Sequence, residues 1–335
     1  MAGAAQGGAE LFFERMTIAL AQSGEAVLPV IRPDPDRVAR LRAARLSPVG
    51  LRFGGLLDVL TRPRAARVLR EFRADVAIAW MSRAAYHAPR GDWALIGRLG
   101  GYYDLEYFRR CDHLVGNTRD IVRWVGAQGW PRGRVHYLPN FVVDFAGVMP
   151  ANRGGLGVPE GAALILALGR LHAVKGFDTL IRAMARLTDA HLVIAGEGPE
   201  RAALESLIAS LGLRDRVHLA GWRSDIGALL KAADIFVSSS RHEPLGNMVL
   251  EAFSASVPVV AAAAEGPREI IRDGVDGVLA PIGDDAALAA AMAGVLGDRG
   301  RAAVLAQAGR ARFEIEFDQA VVVAAWRDFL RTVKR

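Results

Sequence analysis

The sequence predicts an α/β protein built from two doubly wound, parallel-sheet domains in tandem. Three observations predict it. The 335 residues exceed what one hydrophobic core usually organises. Short apolar runs alternate with segments whose apolar residues recur at helical spacing, the βα alternation of a parallel sheet. A Gly- and Pro-rich stretch, Pro139 to Glu160, separates two such series.

In the first series Leu11 to Ala21 reads as a helix, Ala26 to Val30 as a strand and Leu56 to Phe72 as mostly helix; Val76 to Ala79, His113 to Gly116 and Val135 to Leu138 read as strands. In the break, Pro150 and Pro159 flank Asn152, Gly154, Gly155 and Gly157. The second series is clearer. Leu164 to Leu168, Leu192 to Ala195, Val217 to Leu219, Ile235 to Val237, Val257 to Val260 and Gly277 to Leu279 predict six strands. Phe177 to Leu187, Glu200 to Leu211 and Asp285 to Leu296 lie between them as helices, most of which follow Gly, Pro or Asp. Asp318 to Arg335 reads as a last helix whose Trp326 and Phe329 need a surface to bury against. The predicted domains are 1–145 and 161–315, with a linker at 146–160 and a helix at 316–335 packing back on the first domain.

Composition excludes several classes. Hydrophobic residues make up 52% and charged residues 23%, which argues against disordered and fibrous chains. The mean hydropathy of +0.19 comes largely from alanine, and the longest apolar run, Val257 to Ala264, is broken by Pro258. A membrane-spanning helix needs about 18 continuous apolar residues. Cys111 is the single cysteine and forms no internal disulfide, and no N-terminal pattern reads as a signal peptide, so a reducing cytoplasm is the expected location. Residues 1–140 carry 21 basic against 13 acidic side chains, and residues 141–335 carry 21 against 23. The basic first half suits an anionic partner, either an acidic substrate or a membrane surface met peripherally at its inner face. No nucleic-acid-binding motif is present.

The densest chemistry lies in Ser238 to Glu251, where a strand end, a polar loop and Gly246-Asn247 lead into a helix. Free N–H groups and the helix dipole at such a turn suit a diphosphate. Glu251, one turn beyond Asn247 on the same face, would accept hydrogen bonds from vicinal hydroxyls such as those of a ribose. Glu243 lies in the loop at the C-terminal end of the strand, where open α/β sheets bind ligands. The plainer alternatives are a charge–dipole interaction for Glu251 and a solvated loop position for Glu243. Upstream, Gly169-Arg170 ends a strand and Lys175-Gly176 follows; two cations suit a diphosphate, a surface pair being the alternative. Gly196-Glu197-Gly198 is only part of a dinucleotide fingerprint, because Pro199, Glu200 and Arg201 occupy the place of its last glycine, so a nicotinamide enzyme is disfavoured. His87, His113 and His136 lack metal-ligand spacing, and no metal site is expected. The arginines of Arg64 to Arg73 read as a solvated helix face or as a surface for anionic lipid.

Arg170, Lys175-Gly176, Ala195 to Pro199, Ala233 to Val237, Glu243 with seven residues to Glu251, Val257 to Val260, Gly266-Pro267 and Asp276-Gly277, in that order, resemble the signature of family 4 glycosyltransferases. The resemblance covers residues 163–285 and extends through Gly7-Gly8-Ala9-Glu10, Pro139-Asn140 and Asp144. It implies the GT-B fold of two Rossmann-like domains and a retaining enzyme that uses a nucleotide-diphosphate sugar with no cofactor. By resemblance, Arg170 and Lys175 neutralise the donor diphosphate and Glu243 binds the transferred sugar. Asn247 and Met248 offer N–H groups, Glu251 grips the ribose, and the backbone around Trp222 and Arg223 meets the base. Gly169, Glu197 and Gly246 line the donor site, and Gly7 and Gly8 sit where donor phosphate and acceptor meet. The departing phosphate oxygen takes the acceptor's proton, so the carboxylate pair of a glycoside hydrolase is not required.

Two departures stand out. Only MAGAAQ precedes Gly7, so the first domain is expected to lack its N-terminal strand, with the true start upstream; an in-frame stop codon immediately upstream would contradict that. The first-domain histidine of many relatives is also missing from Arg98 to Asp104. Asp104 or Tyr102 would replace it, and Asp104 equally suits capping the helix near Leu105. The function implied is transfer of a sugar to a glycan or lipid-linked acceptor in cell-envelope polysaccharide or lipopolysaccharide synthesis. A nucleotide-sugar epimerase of the same architecture and a non-catalytic sugar-nucleotide-binding protein are the alternatives.

Overall fold

Alternating strands and helices resolve into two α/β units, Met1–Phe141 with Gln319–Arg335, and Val142–Asp318. The computed structural model describes residues 1–3, 7–54 and 58–334.

The first unit begins with α1 (Gly8–Gln22), which buries Phe12, Phe13, Met16 and Leu20 on one face. β1 (Val30–Ile31) follows. It begins later than the predicted Ala26 to Val30; Pro29 has no N–H to donate to a ladder, and its carbonyl accepts Val49 N at 2.8 Å. α2 (Pro35–Ala43) starts at Asp34, whose carboxylate accepts the Arg37 N–H at 2.9 Å, and β2 (Val49–Gly50) pairs with β1. α3 (Thr61–Phe72) starts later than expected. Asp58 ends the preceding loop by accepting from Gly54 N (2.7 Å), Thr61 N (3.0 Å) and Thr61 Oγ1 (2.6 Å). Residues 56 and 57 of the predicted helix lie outside the described residues.

β3 (Val76–Trp80), α4 (Met81–His87), β4 (Ala94–Leu99), β5 (His113–Gly116), α5 (Arg119–Ala127) and β6 (Val135–Tyr137) complete the series. The strands form a parallel sheet in the order β3-β4-β5-β6. β4 was not expected. Gly97 and Arg98 interrupt its apolar run, yet all six residues are buried, and the Arg98 guanidinium lies over the faces of Phe12 (5.1 Å) and Trp80 (5.2 Å). Among the described residues no strand precedes α1. Met1 instead extends the β1 ladder: its amino group donates to Val30 O (2.8 Å), and its carbonyl accepts from Arg32 N (3.0 Å). The edges of β1 and β3 line a common apolar groove of about 560 Å³, with Val27, Val30, Val76 and Ile78 among its walls.

The second unit holds β7 (Ala163–Leu168), α6 (Phe177–Met184), β8 (Ala190–Ala195), α7 (Arg201–Ser210), β9 (Val217–Gly221), α8 (Ile226–Ala232) and β10 (Ile235–Ser238). α9 (Asn247–Ser254), β11 (Val259–Ala262), α10 (Glu265–Ile270), β12 (Val278–Ala280), α11 (Asp285–Leu296) and α12 (Arg299–Arg312) follow. Six parallel strands run in the order β9-β8-β7-β10-β11-β12, the doubly wound arrangement. Leu164, Leu166 and Leu168 of β7 enter the core on one face, and Ile165 and Ala167 enter the other. β11 begins two residues later than expected, after Pro258.

The predicted linker, 146–160, packs into the second unit. Ala151 N donates to Ala228 O (2.9 Å), Arg153 reaches Ala232 O (2.8 Å) and Asp234 (3.0 Å), and Leu156 and Val158 are buried. Its glycines and prolines shape turns on a core surface. α13 (Gln319–Val333) belongs to the first unit, where Trp326 is fully buried and stacks on Trp80 at 6.1 Å. No helix of the described residues is long and apolar enough to cross a membrane.

Candidate active site

In the second unit the winding of the sheet reverses between β7 and β10. Ligands of open α/β sheets bind outside the C-terminal strand ends at such a switch point. The segments leaving these two strands, 169–176 and 239–246, carry five of the candidate site residues, Gly169, Arg170, Lys175, Glu243 and Gly246. Lys175 Nζ and Glu243 Oε2 form an ion pair of 2.5 Å across the switch point, with side chains 17% and 13% exposed. Arg170 stands exposed at the end of β7. It is held between two backbone bonds, Gly169 N to Ala195 O (3.1 Å) and Leu171 N to Glu197 O (2.9 Å).

Gly176 lets the two segments touch. Its φ of +62° is left-handed, and a Cβ there would lie 2.2 Å from Ser239 O. Gly246, with φ +87°, leads into α9, and its N–H donates to Glu243 Oε1 (3.3 Å). The Glu243 carboxylate therefore meets both Lys175 and the N-terminal entrance to α9, the positive end of its dipole. Asn247, Met248 and Glu251 are half-buried on that helix.

Glu265, which sequence reasoning missed, orders the Glu243 loop from the neighbouring strand end. Its Oε2 accepts Glu243 N (3.2 Å), its Oε1 meets His242 Nδ1 (3.0 Å), and Glu243 O accepts Gly266 N (2.7 Å). Burial alone would raise the Glu265 carboxyl, but hydrogen bonds from backbone amides and His242 outweigh it and hold the group below the usual carboxylate range.

The outer donor-site candidates leave β8 and β9. Glu197 is bound by Arg201 through two bonds of 2.7 and 2.9 Å, and Arg223 by Asp225 through bonds of 2.6 and 2.8 Å. Trp222 is 71% exposed. Gly7, Gly8 and Asp104 belong to the first unit. Gly7 precedes α1 and Gly8 opens it, and the buried Glu10 carboxylate folds back against Gly7, where a Cβ would lie 2.3 Å from its oxygen. Asp104 is exposed and caps the turn Leu105–Phe108 by accepting Glu106 N at 2.9 Å. The capping expected of Asp104 is present in this bond. Tyr102 donates to Asp120.

Arg241 and Asp178 also escaped the sequence, because a contact between positions 63 residues apart leaves no local signal. Among the described residues, no group of three or more His, Cys, Asp or Glu is placed to hold a metal ion.

Residues 148–312 match the family described as glycosyl transferases group 1. The chain is 35% identical to the lipopolysaccharide core biosynthesis glycosyltransferase LpsE of Rhizobium meliloti (strain 1021), over 97% of this chain and 96% of that protein. It is also 35% identical to LpsD of the same organism, over 96% and 94% respectively. The structure of Anabaena Alr3699/HepE in complex with UDP aligns over 99% of this chain and 98% of that one, with a TM-score of 0.85 at 23% identity, a likeness of fold. Sharing over a third of its residues with two such enzymes along nearly their whole length, and matching the group 1 family across its second unit, the chain belongs to the glycosyl transferases of group 1 and is a glycosyltransferase of the GT-B fold.

Proposed function

We propose that this glycosyltransferase takes a sugar from a nucleotide-diphosphate donor and passes it, with retention, to a glycan or lipid-linked acceptor in lipopolysaccharide or related cell-envelope polysaccharide synthesis. The observation that carries the donor assignment is the Lys175–Glu243 pair at the switch point, with Arg170 exposed at the end of β7 and Gly246 N of the α9 entrance bonded to Glu243. Two cations and a helix N-terminus on the segments that leave these adjacent strands are features that suit a diphosphate. The two relatives named as lipopolysaccharide core enzymes support the acceptor class, and the buried, unpaired Cys111 suits a cytoplasmic setting.

In this reading the bond from the sugar C1 to the phosphate oxygen breaks, and the acceptor oxygen bonds to C1 on the same face. The departing phosphate oxygen takes the acceptor's proton. Arg170 and Lys175 stabilise the charge left on the diphosphate, which is the transition-state term expected to matter most. The reaction then needs neither a metal nor a protein nucleophile. Glu243 hydrogen-bonds the transferred sugar, α9 offers the N–H groups of Asn247 and Met248, and Glu251 accepts from the ribose hydroxyls. The backbone at Trp222 and Arg223 meets the base.

The test has two steps. Thermal shifts with UDP-, GDP- and ADP-sugars identify the donor, because selective binding stabilises the folded state by mass action. Lys175→Ala and Glu243→Ala are then each expected to lower nucleotide diphosphate release by about 100-fold or more. Wild-type turnover in both would reject the site, and an inverted product would reject retention.

A further inference from the structure

Lys175 is a long, flexible side chain, and it meets Glu243 because the segments carrying them are tied together. The tie centres on Arg241. Its guanidinium grips Asp178 at the start of α6 with two bonds, Nη1 to Oδ1 (2.8 Å) and Nη2 to Oδ2 (2.6 Å). Nη1 also donates to Ala173 O (2.8 Å) and Nη2 to Thr179 Oγ1 (3.2 Å). The backbone reinforces this, with Arg241 N donating to Val174 O (2.8 Å) and Ser239 Oγ to Lys175 O (2.9 Å). The turn bearing Lys175 is thus bonded at every residue from 173 to 175, and again at 178 and 179, to the segment that continues into Glu243.

We propose that Arg241 and Asp178 form a clamp that positions Lys175 against Glu243 for cleavage of the donor; Arg241 is a positioning residue that acts through Lys175. The inference rests on the donor-site reading above. Its physical basis is a mismatch between what the clamp contributes to stability and what it contributes to geometry. The pair is 39% and 42% exposed, and exposed ion pairs contribute little to folding. A two-pronged guanidinium–carboxylate contact nevertheless fixes direction as well as distance, and misplacing a catalytic group by about 1 Å costs roughly 100-fold in rate. Activity therefore depends on the clamp far more than stability does. A lysine at 241 keeps the charge and loses the fork.

The experiment compares Arg241→Ala, Arg241→Lys, Arg241→Glu and the exchanged pair Arg241→Glu with Asp178→Arg in the full chain. Nucleotide diphosphate release gives kcat and donor KM, and thermal melts give Tm. Lys175→Ala and Glu243→Ala serve as references. Arg241→Ala is expected to lower kcat by about 10- to 100-fold while donor KM moves less than about threefold and Tm by less than about 3 °C. Arg241→Lys stays impaired, and the exchanged pair recovers at least about fivefold over Arg241→Glu alone. The clamp is overturned if Arg241→Ala keeps half the wild-type kcat, if its kcat loss is matched by unfolding at the assay temperature, or if the exchange restores nothing. Inactive Lys175→Ala and Glu243→Ala beside an active Arg241→Ala would sink the clamp alone. Activity in both references would sink the donor-site reading beneath it.

Discussion

Replacing Gly176 with alanine perturbs the contact on which the site is assembled, and a second glycine supplies the control. Gly176 and Gly212 have nearly the same backbone, φ +62° and +67°. At Gly212 a Cβ meets nothing within 4 Å, whereas at Gly176 it would lie 2.2 Å from Ser239 O, well inside the 3.0 Å that real Cβ atoms keep. Gly212→Ala therefore costs only the left-handed conformation, about 1–2 kcal/mol. Gly176→Ala costs that and also pushes the Ser239 segment away by roughly 1 Å, at the expense of the bonds from Ser239 Oγ to Lys175 O and from Arg241 N to Val174 O. At about 1 kcal/mol for each bond, the expected total is about 3–4 kcal/mol. The same displacement separates Lys175 from Glu243, so turnover should fall by roughly 100-fold in Gly176→Ala and stay near wild type in Gly212→Ala. Urea unfolding and nucleotide diphosphate release measure the two effects on both variants. Equal stability and equal turnover in the two variants would refute the reasoning, because the close approach at Ser239 would then have no consequence.

Three further expectations concern the first unit. Burial, and then the neighbouring His113 ring 3.1 Å away, hold His136 below the ordinary histidine range. The unfolded chain then takes up a proton before the folded one, so this contribution is complete above about pH 6.5 and is lost as pH falls toward the lowered folded value. Melts between pH 7.5 and 5.5 should show Tm falling with pH less steeply in His136→Gln, and parallel profiles would contradict it. Burial, aided by Asp112, pushes the Cys111 thiol up to about 12, so the native protein should resist an aromatic disulfide reagent at pH 8 and react once denatured; rapid native labelling would refute this. Trp326→Ala removes a fully buried indole from the stack on Trp80 and should destabilise the first unit by about 3–5 kcal/mol. Hydrogen exchange should quicken in α1 and β3 and stay unchanged in β7 to β12, and equal acceleration in both units would show the effect is not local.

The second unit was nearly legible from its residues because parallel strands covered on both faces read as unbroken apolar runs, as in Ala163–Leu168 and residues 192–195. The first unit was less so. Arg98 looks like a strand breaker in isolation and is buried in β4 where Asn140 Oδ1 accepts from its guanidinium and two aromatic faces from distant segments cover it. The strand predicted over Ala26 to Val30 begins only at Val30, after Pro29, which has no N–H to donate. The expected linker is where composition misled most, since glycine and proline mark turns whether or not a core lies beneath them.

The amino-acid order alone determined the α/β class and the six strands of the second unit, and it singled out Arg170, Lys175, Glu243 and Glu251 as candidates, because apolar runs, strand-end cations, loop carboxylates and helix starts are local patterns. Tertiary structure decided which of them meet. The winding of the sheet puts β10 beside β7, so Glu243 faces Lys175, and the Arg241–Asp178 tie and the glycine at 176 hold them there. Those contacts join positions more than sixty residues apart. They arise from how strands order themselves in a sheet, which no local spacing records.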